Sequence, residues 1–206
     1  MNVILVEAQY VGALSYWKQL LLADKIIMDQ HEHYVRRSYR NRCHILGANG
    51  LLRLSIPLER GKNQHDAMKD VRISYNEDWQ KLHWQSVTSA YRRSPYFEFY
   101  EDHFIKFYEN KFSFLLDYNI EILHKIASIL KVSLSIELTE KYVNTADFEG
   151  LDLRSQILPA KKSMLTFAEY PQVFSDRFPF EKDLSMLDLL FNKGTMSLDY
   201  LQKLVV

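Results

Sequence analysis

An α/β fold is predicted: a small, mainly parallel, Rossmann-like core sheet with an inserted β-hairpin and a helical carboxyl-terminal half. Three features of the sequence predict it. The chain opens on a short apolar run, an amphipathic stretch and a second apolar run, which is the order strand, helix, strand. Asn49-Gly50 then sits between two further apolar runs, the strongest short-range signal for a hairpin. From Asn76 onward helical spacing dominates for about fifty residues.

Asn2 to Val6 is rich in β-branched residues and reads as a buried strand. Trp17, Leu20 and Leu21 recur at helical spacing, and Ile26 to Met28 is a second buried strand. A right-handed crossover makes these two strands parallel. The antiparallel hairpin is expected over 42–47 and 51–57, ended by Pro57. Arg60 to Asp66 reads as a mobile loop, and Lys69 to Ser74 as a short extended segment.

A helix with Trp79, Leu82, Val87 and Tyr91 on its inner stripe precedes the break at Pro95, and a second runs from Tyr96 to Glu109. A third carries Ile120, Leu123, Ile126, Ala127 and Leu130, and Val132 to Leu138 alternates as a third core strand. Asn144 to Pro159 shows no clear period. A helix over 183–194 takes Asp183 or Ser185 as its cap and Gly194 as its stop, and Thr195 caps a last helix. Residues 1–206 read as a single domain, 1–75 carrying the start of the core and the hairpin, 76–206 being mainly helical with one more strand.

Composition narrows the function. Lys plus Arg and Asp plus Glu number 26 each, so no global basic field draws in nucleic acid, and the tract from Arg36 to Arg42 is not expected to bind RNA. A single cysteine, Cys43, excludes an internal disulfide and a four-cysteine zinc site, and fits a reducing cytoplasm. The apolar opening is broken by Glu7, far short of the ~20 residues of a membrane span.

The densest polar chemistry lies in Tyr39 to Gly50. Arg40 and Arg42 flank Asn41, and on an extended segment both arginines share one face, able to grip one phosphate or carboxylate in planar, bidentate geometry. The alternative is that they pair with carboxylates such as Asp29 or Glu32 and hold the hairpin in place. Tyr34 and Tyr39 are positioned to stack on a ligand.

The turn after the first strand is a second candidate, with Gln9, Tyr10, Gly12 and Ser15 where an open α/β sheet collects ligands. A plain strand-to-helix turn is the competing reading. Asp29, His31 and His33 alternate along one side of a strand, and either histidine suits general base work. No metal is expected there, since the spacing matches no metal motif, and local hydrogen bonding is the simpler role. Tyr91, with Trp84 and Thr88, lines one helix face that walls either the same pocket or the core.

A series of blocks resembles one family. Residues 8–16 (AQYVGALSY), 39–43 (YRNRC), 47–50 (GANG), 55–59 (SIPLE), 69–74 (KDVRIS), 83–91 (HWQSVTSAY), 94–100 (SPYFEFY) and 184–192 (LSMLDLLFN) look, in that order, like the WbqC-like family. Two departures stand out: Gly12-Ala13-Leu14 where many members carry a proline-aromatic run, and residues 152–163 where many carry a Gly-rich segment. The resemblance implies a place in bacterial surface-polysaccharide assembly and makes Lys69 and Asp70 pocket candidates.

Taken with the residues above, it implies an anionic or sugar-linked small-molecule ligand, such as a nucleotide-activated sugar. An acyl or aminoacyl group would be transferred to that sugar. The rival is a noncatalytic binding or scaffold protein of the same pathway. Neither reading identifies a cofactor, and self-association is left open.

Overall fold

The computed structural model describes residues 2–59 and 66–205. Strand β1 (Val3–Val6) is followed by helix α1 (Leu14–Leu22) and strand β2 (Lys25–Met28). A hairpin of β3 (Arg42–Gly47) and β4 (Gly50–Ser55) comes next, then helices α2 (Trp79–Tyr91), α3 (Phe97–Glu109) and α4 (Leu115–Leu130). Strand β5 (Ile136–Leu138), the two-residue strand β6 (Leu151–Asp152), and helices α5 (Met186–Lys193) and α6 (Ser197–Lys203) complete the order.

The core sheet has four parallel strands in the order β5-β2-β1-β6. Ile4, Leu5 and Val6 are fully buried, as expected of a central parallel strand covered on both faces. The chain steps outward from β1 through β2 to β5, then returns to the other side of β1 for β6, so the strand order reverses between β1 and β6. In open α/β sheets that reversal leaves a crevice at the carboxyl ends of the strands.

Strand β6 lies inside the tract that showed no period. Its pairing with β1 needs Gly150, because a Cβ there would stand 2.5 Å from the Val3 carbonyl oxygen. Two residues are too short to register as a sequence pattern.

The hairpin turns over Ala48 and Asn49, closing Gly47 against Gly50, and of these only Gly50 has a positive φ, 98°. Leu82 departs from its expected place: it is 57% exposed, while His83 takes the inner position with Trp79, Val87 and Tyr91. Lys69 to Ser74 is not continuously extended, since Met68–Asp70 forms a 3-10 turn. The loop expected over 60–66 lies, Asp66 apart, outside the described residues.

The capping expectations are also corrected. Neither Ser185 nor Asp183 makes a side-chain cap on α5, and Thr195 does not cap α6. Asp183 instead accepts from the Ser15 amide at 2.7 Å and the Ser15 hydroxyl at 2.8 Å, capping α1 from 168 residues away.

Candidate functional site at the carboxyl end of the sheet

Each parallel strand ends in a polar residue, and these residues meet. Glu7 follows β1, Asp29 follows β2, Thr139 follows β5, and Arg154 and Ser155 follow β6. Asp29 accepts from the Thr139 hydroxyl at 2.8 Å, the His31 amide at 2.9 Å and Arg154 Nη1 at 2.5 Å. Arg154 also grips Asp152 with Nη2 at 2.7 Å, which holds its guanidinium above its ordinary pKa although burial alone would lower it.

Beside this set, Arg40 is wholly buried. It donates from Nε to Glu32 Oε1 at 2.8 Å and from Nη2 to Glu32 Oε2 at 2.6 Å, with Glu7 Oε2 at 3.8 Å and the Ser155 hydroxyl at 3.2 Å. Ser155, at φ 57°, turns its amide onto Glu7 Oε2 at 2.9 Å. Burial pushes the Glu32 carboxyl up, and Arg40 opposes that rise.

Four carboxylates, Glu7, Asp29, Glu32 and Asp152, thus share two guanidiniums, Arg40 and Arg154. Two orphaned atoms belong to this cluster: Arg40 Nη1 and Gln9 Oε1 are buried without a partner. Gln9 is otherwise fixed by donating to Glu7 Oε1 at 2.9 Å.

The rim of the cluster carries the two histidines. The segment 30–34 runs beside 66–69 through backbone bonds from Lys69 to Gln30, Met68 to Glu32 and Tyr34 to Asp66. His31 is half-buried, and Lys69 is exposed. His33 is exposed and stacks on Tyr142 at 6.3 Å, the same ring that Arg154 covers at 5.3 Å. Among the described residues no three of His, Cys, Asp and Glu converge as a metal ion would require.

Arg42 has a different environment from Arg40. It is half-buried, forms no ion pair among the described residues, and its Nε is buried without an acceptor. Burial lowers its pKa, and the like charges of Arg53 and Arg37 lower it further. Burial lowers His44, and the charges of Arg42 and Arg53 lower it further. Tyr34, half-buried between the two settings, feels both Arg42 and Arg40, which offset part of the rise burial imposes on its phenol.

The remaining candidates sit elsewhere. Tyr10 is in the core, its hydroxyl 3.2 Å from His83 Nδ1 and 3.0 Å from the Tyr108 hydroxyl. Tyr91 donates to buried Asp188 at 2.9 Å, and Asn41 donates to the Ile56 carbonyl at 2.8 Å. The first turn is closed: Val11 and Gly12 have φ of 64° and 71°, Trp17 Nε1 donates to the Val11 carbonyl, and Asp183 fills the amino terminus of α1. An incoming anion would have to displace that carboxylate.

Cys43 faces the core, and burial pushes its thiol well above the ordinary range. Hairpin, first turn and α2 meet as packed interior.

Sequence reasoning missed Glu7, Arg154 and Ser155. Glu7 carried a usable signal, being a charge directly after a buried strand; Arg154 and Ser155 did not, because β6 was invisible.

A parallel 3-2-1-4 sheet with polar residues gathered at its strand ends defines an α/β protein. Residues 8–159 match the family profile described as "WbqC-like protein family", and the chain belongs to that family. It is also similar to an uncharacterized protein of Mycobacterium tuberculosis, Rv1507c, at 24% identity over 235 positions, covering 98% of this chain and 97% of the relative. No solved structure matches the chain. No helix among the described residues is long and apolar enough to cross a membrane.

Proposed function

We propose that this protein binds an anionic, sugar-linked small molecule, a nucleotide-activated sugar being the leading class, and acts on it in surface-polysaccharide assembly. One observation carries the reading: Arg42 keeps an unmatched, partly desolvated guanidinium beside Tyr34, while neighbouring Arg40 is neutralised within the fold. A cation crowded by like charges gains from an arriving phosphate or carboxylate, which Arg binds in bidentate geometry. Tyr34 offers the face for a sugar or base, and Lys69 lies on the same rim.

The reaction that fits this rim is acyl or aminoacyl transfer. His31 or His33 takes the proton from a sugar hydroxyl or amine as that group attacks the carbonyl of an activated acyl donor, a thioester or acyl adenylate. The thiolate or phosphate leaves with the bonding electron pair, and the new ester or amide remains on the sugar. His31 is the better placed, two residues beyond Asp29 and tied to it through its amide.

A noncatalytic binder is the second reading, favoured by how much of the polar cluster is already satisfied internally. One experiment separates the two. The protein is incubated with a panel of nucleotide sugars plus acyl-CoA, or with ATP and amino acids, and the sugars are examined by mass spectrometry. A mass gain of one acyl group that disappears with His31→Gln supports transfer; saturable binding with no mass change supports the binder; absence of both overturns the proposal.

A further inference from the structure

We infer that the free edge of the hairpin is a docking strand for an extended segment of a partner protein whose side chains alternate between acidic and apolar. The docking face shares Arg42 with the proposed ligand site, so its test is placed at Arg53 and Leu82, which that site does not use.

The backbone supplies the first observation. The two-residue turn makes Gly47 and Gly50 a hydrogen-bonded pair, and pairing alternates from there along the ladder. Leu52 and Leu54 therefore point their amides and carbonyls at β3, while Leu51, Arg53 and Ser55 point theirs outward. The Ser55 carbonyl confirms the direction, since it meets the His83 ring on α2 rather than β3. For Leu51 and Arg53 no backbone partner exists among the described residues. An extended segment can satisfy this pattern, and a helix cannot.

The side chains supply the second observation, because the two faces of the edge differ. Cross-strand pairs share a face, so Arg42, His44 and Arg53 lie on one side and Ile45 and Leu52 on the other. The first side is cationic, and Arg42 and Arg53 have no carboxylate in ion-pair range among the described residues.

The second side continues into a groove of about 300 Å³ between the hairpin tip and α2, lined by Gly47, Leu52, Leu82, Ser86 and Ala90. Leu52 and Leu82 are 38% and 57% exposed at its mouth. A strand added beyond β4 would send alternate side chains to the arginines and to this groove. Acidic residues suit the first and Val or Leu the second. A second copy of β4 suits it less well, since its own Arg53 would be brought to a cationic edge.

The test uses an acetylated ten-residue peptide alternating glutamate with valine, titrated into the 15N-labelled full chain. Amide shifts confined to residues 50–55 and α2 are expected. Arg53→Glu should weaken binding at least about tenfold, as expected for reversing a charge at an interface. A peptide with lysine in place of glutamate should recover affinity for that variant. Leu82→Asp, at a site already exposed, should weaken the original peptide while leaving the melting temperature unchanged.

No shifts at millimolar peptide, shifts away from the hairpin, or an Arg53→Glu variant that binds as the parent does would overturn the inference. So would light scattering that shows a dimer dissociated by Leu82→Asp, because the edge would then belong to a second copy.

Discussion

Arg40 and Glu32 face each other through two parallel hydrogen bonds, 2.8 and 2.6 Å long, in a place that solvent does not reach. The pair joins the approach to the hairpin to the segment after β2, with Glu7 and Ser155 bringing in the ends of β1 and β6. Arg40→Ala leaves Glu32 buried without its cation and should cost about 3–5 kcal/mol in urea denaturation, the usual range for breaking a buried pair. Arg40→Met with Glu32→Leu should recover much of that loss. Recovery by the double variant would show that the pair specifies position more than it adds stability.

Asp183 and Ser15 make the second long-range tie. Asp183→Ala removes the cap of α1 and should cost about 1–2 kcal/mol by chemical denaturation. Asp183→Asn keeps an acceptor and tolerates the positive φ of 53°, so it should lose less than half as much. Equal losses would mean that the negative charge, rather than the hydrogen bonds, holds the helix end.

His83 gives the fold an acid-sensitive point. Burial lowers its pKa to about 4, so the folded protein takes up a proton less readily than the unfolded chain. Its contribution is present above the unfolded value of ~6.5 and is lost as pH falls toward 4, an effect of about 3 kcal/mol at most. Burial raises Glu32, Asp183 and Asp188, which act in the opposite direction. The measurement is therefore the difference in pH slope between the parent and His83→Gln across that window. The parent should show the steeper loss.

Cys43 should be inert in the native protein. With the thiol buried and its pKa raised, Ellman's reagent should label less than a tenth of the native chain within an hour and all of it in denaturant. Fast native labelling would place the hairpin's inner face in contact with water.

Local signals in the sequence carried the βαβ unit and the hairpin, because burial of β1 and the Ala48-Asn49 turn closed by Gly50 are each encoded within a few neighbouring residues. Contacts made across the whole chain stayed hidden. Asp183 looked like the cap of the helix that follows it, and its geometry serves a helix 168 residues earlier. Arg40 and Arg42 share a sequence motif but differ in setting, since Glu32 reaches one and the other faces Arg37 and Arg53. Glu32 and Asp29 were both visible as possible partners; that Asp29 goes to Arg154 depended on a strand too short to detect.

Thermal melting with nucleotide sugars reads out whether Arg42 receives the anion. A ligand at a hundred times its Kd adds about 2.7 kcal/mol and raises the melting temperature by several degrees. Arg42→Ala should melt within about 0.5 kcal/mol of the parent without ligand, as expected of a change outside the packed core, and should show no shift with the sugar that stabilises the parent. An Arg42→Ala variant stabilised as much as the parent would mean that the anion binds without Arg42.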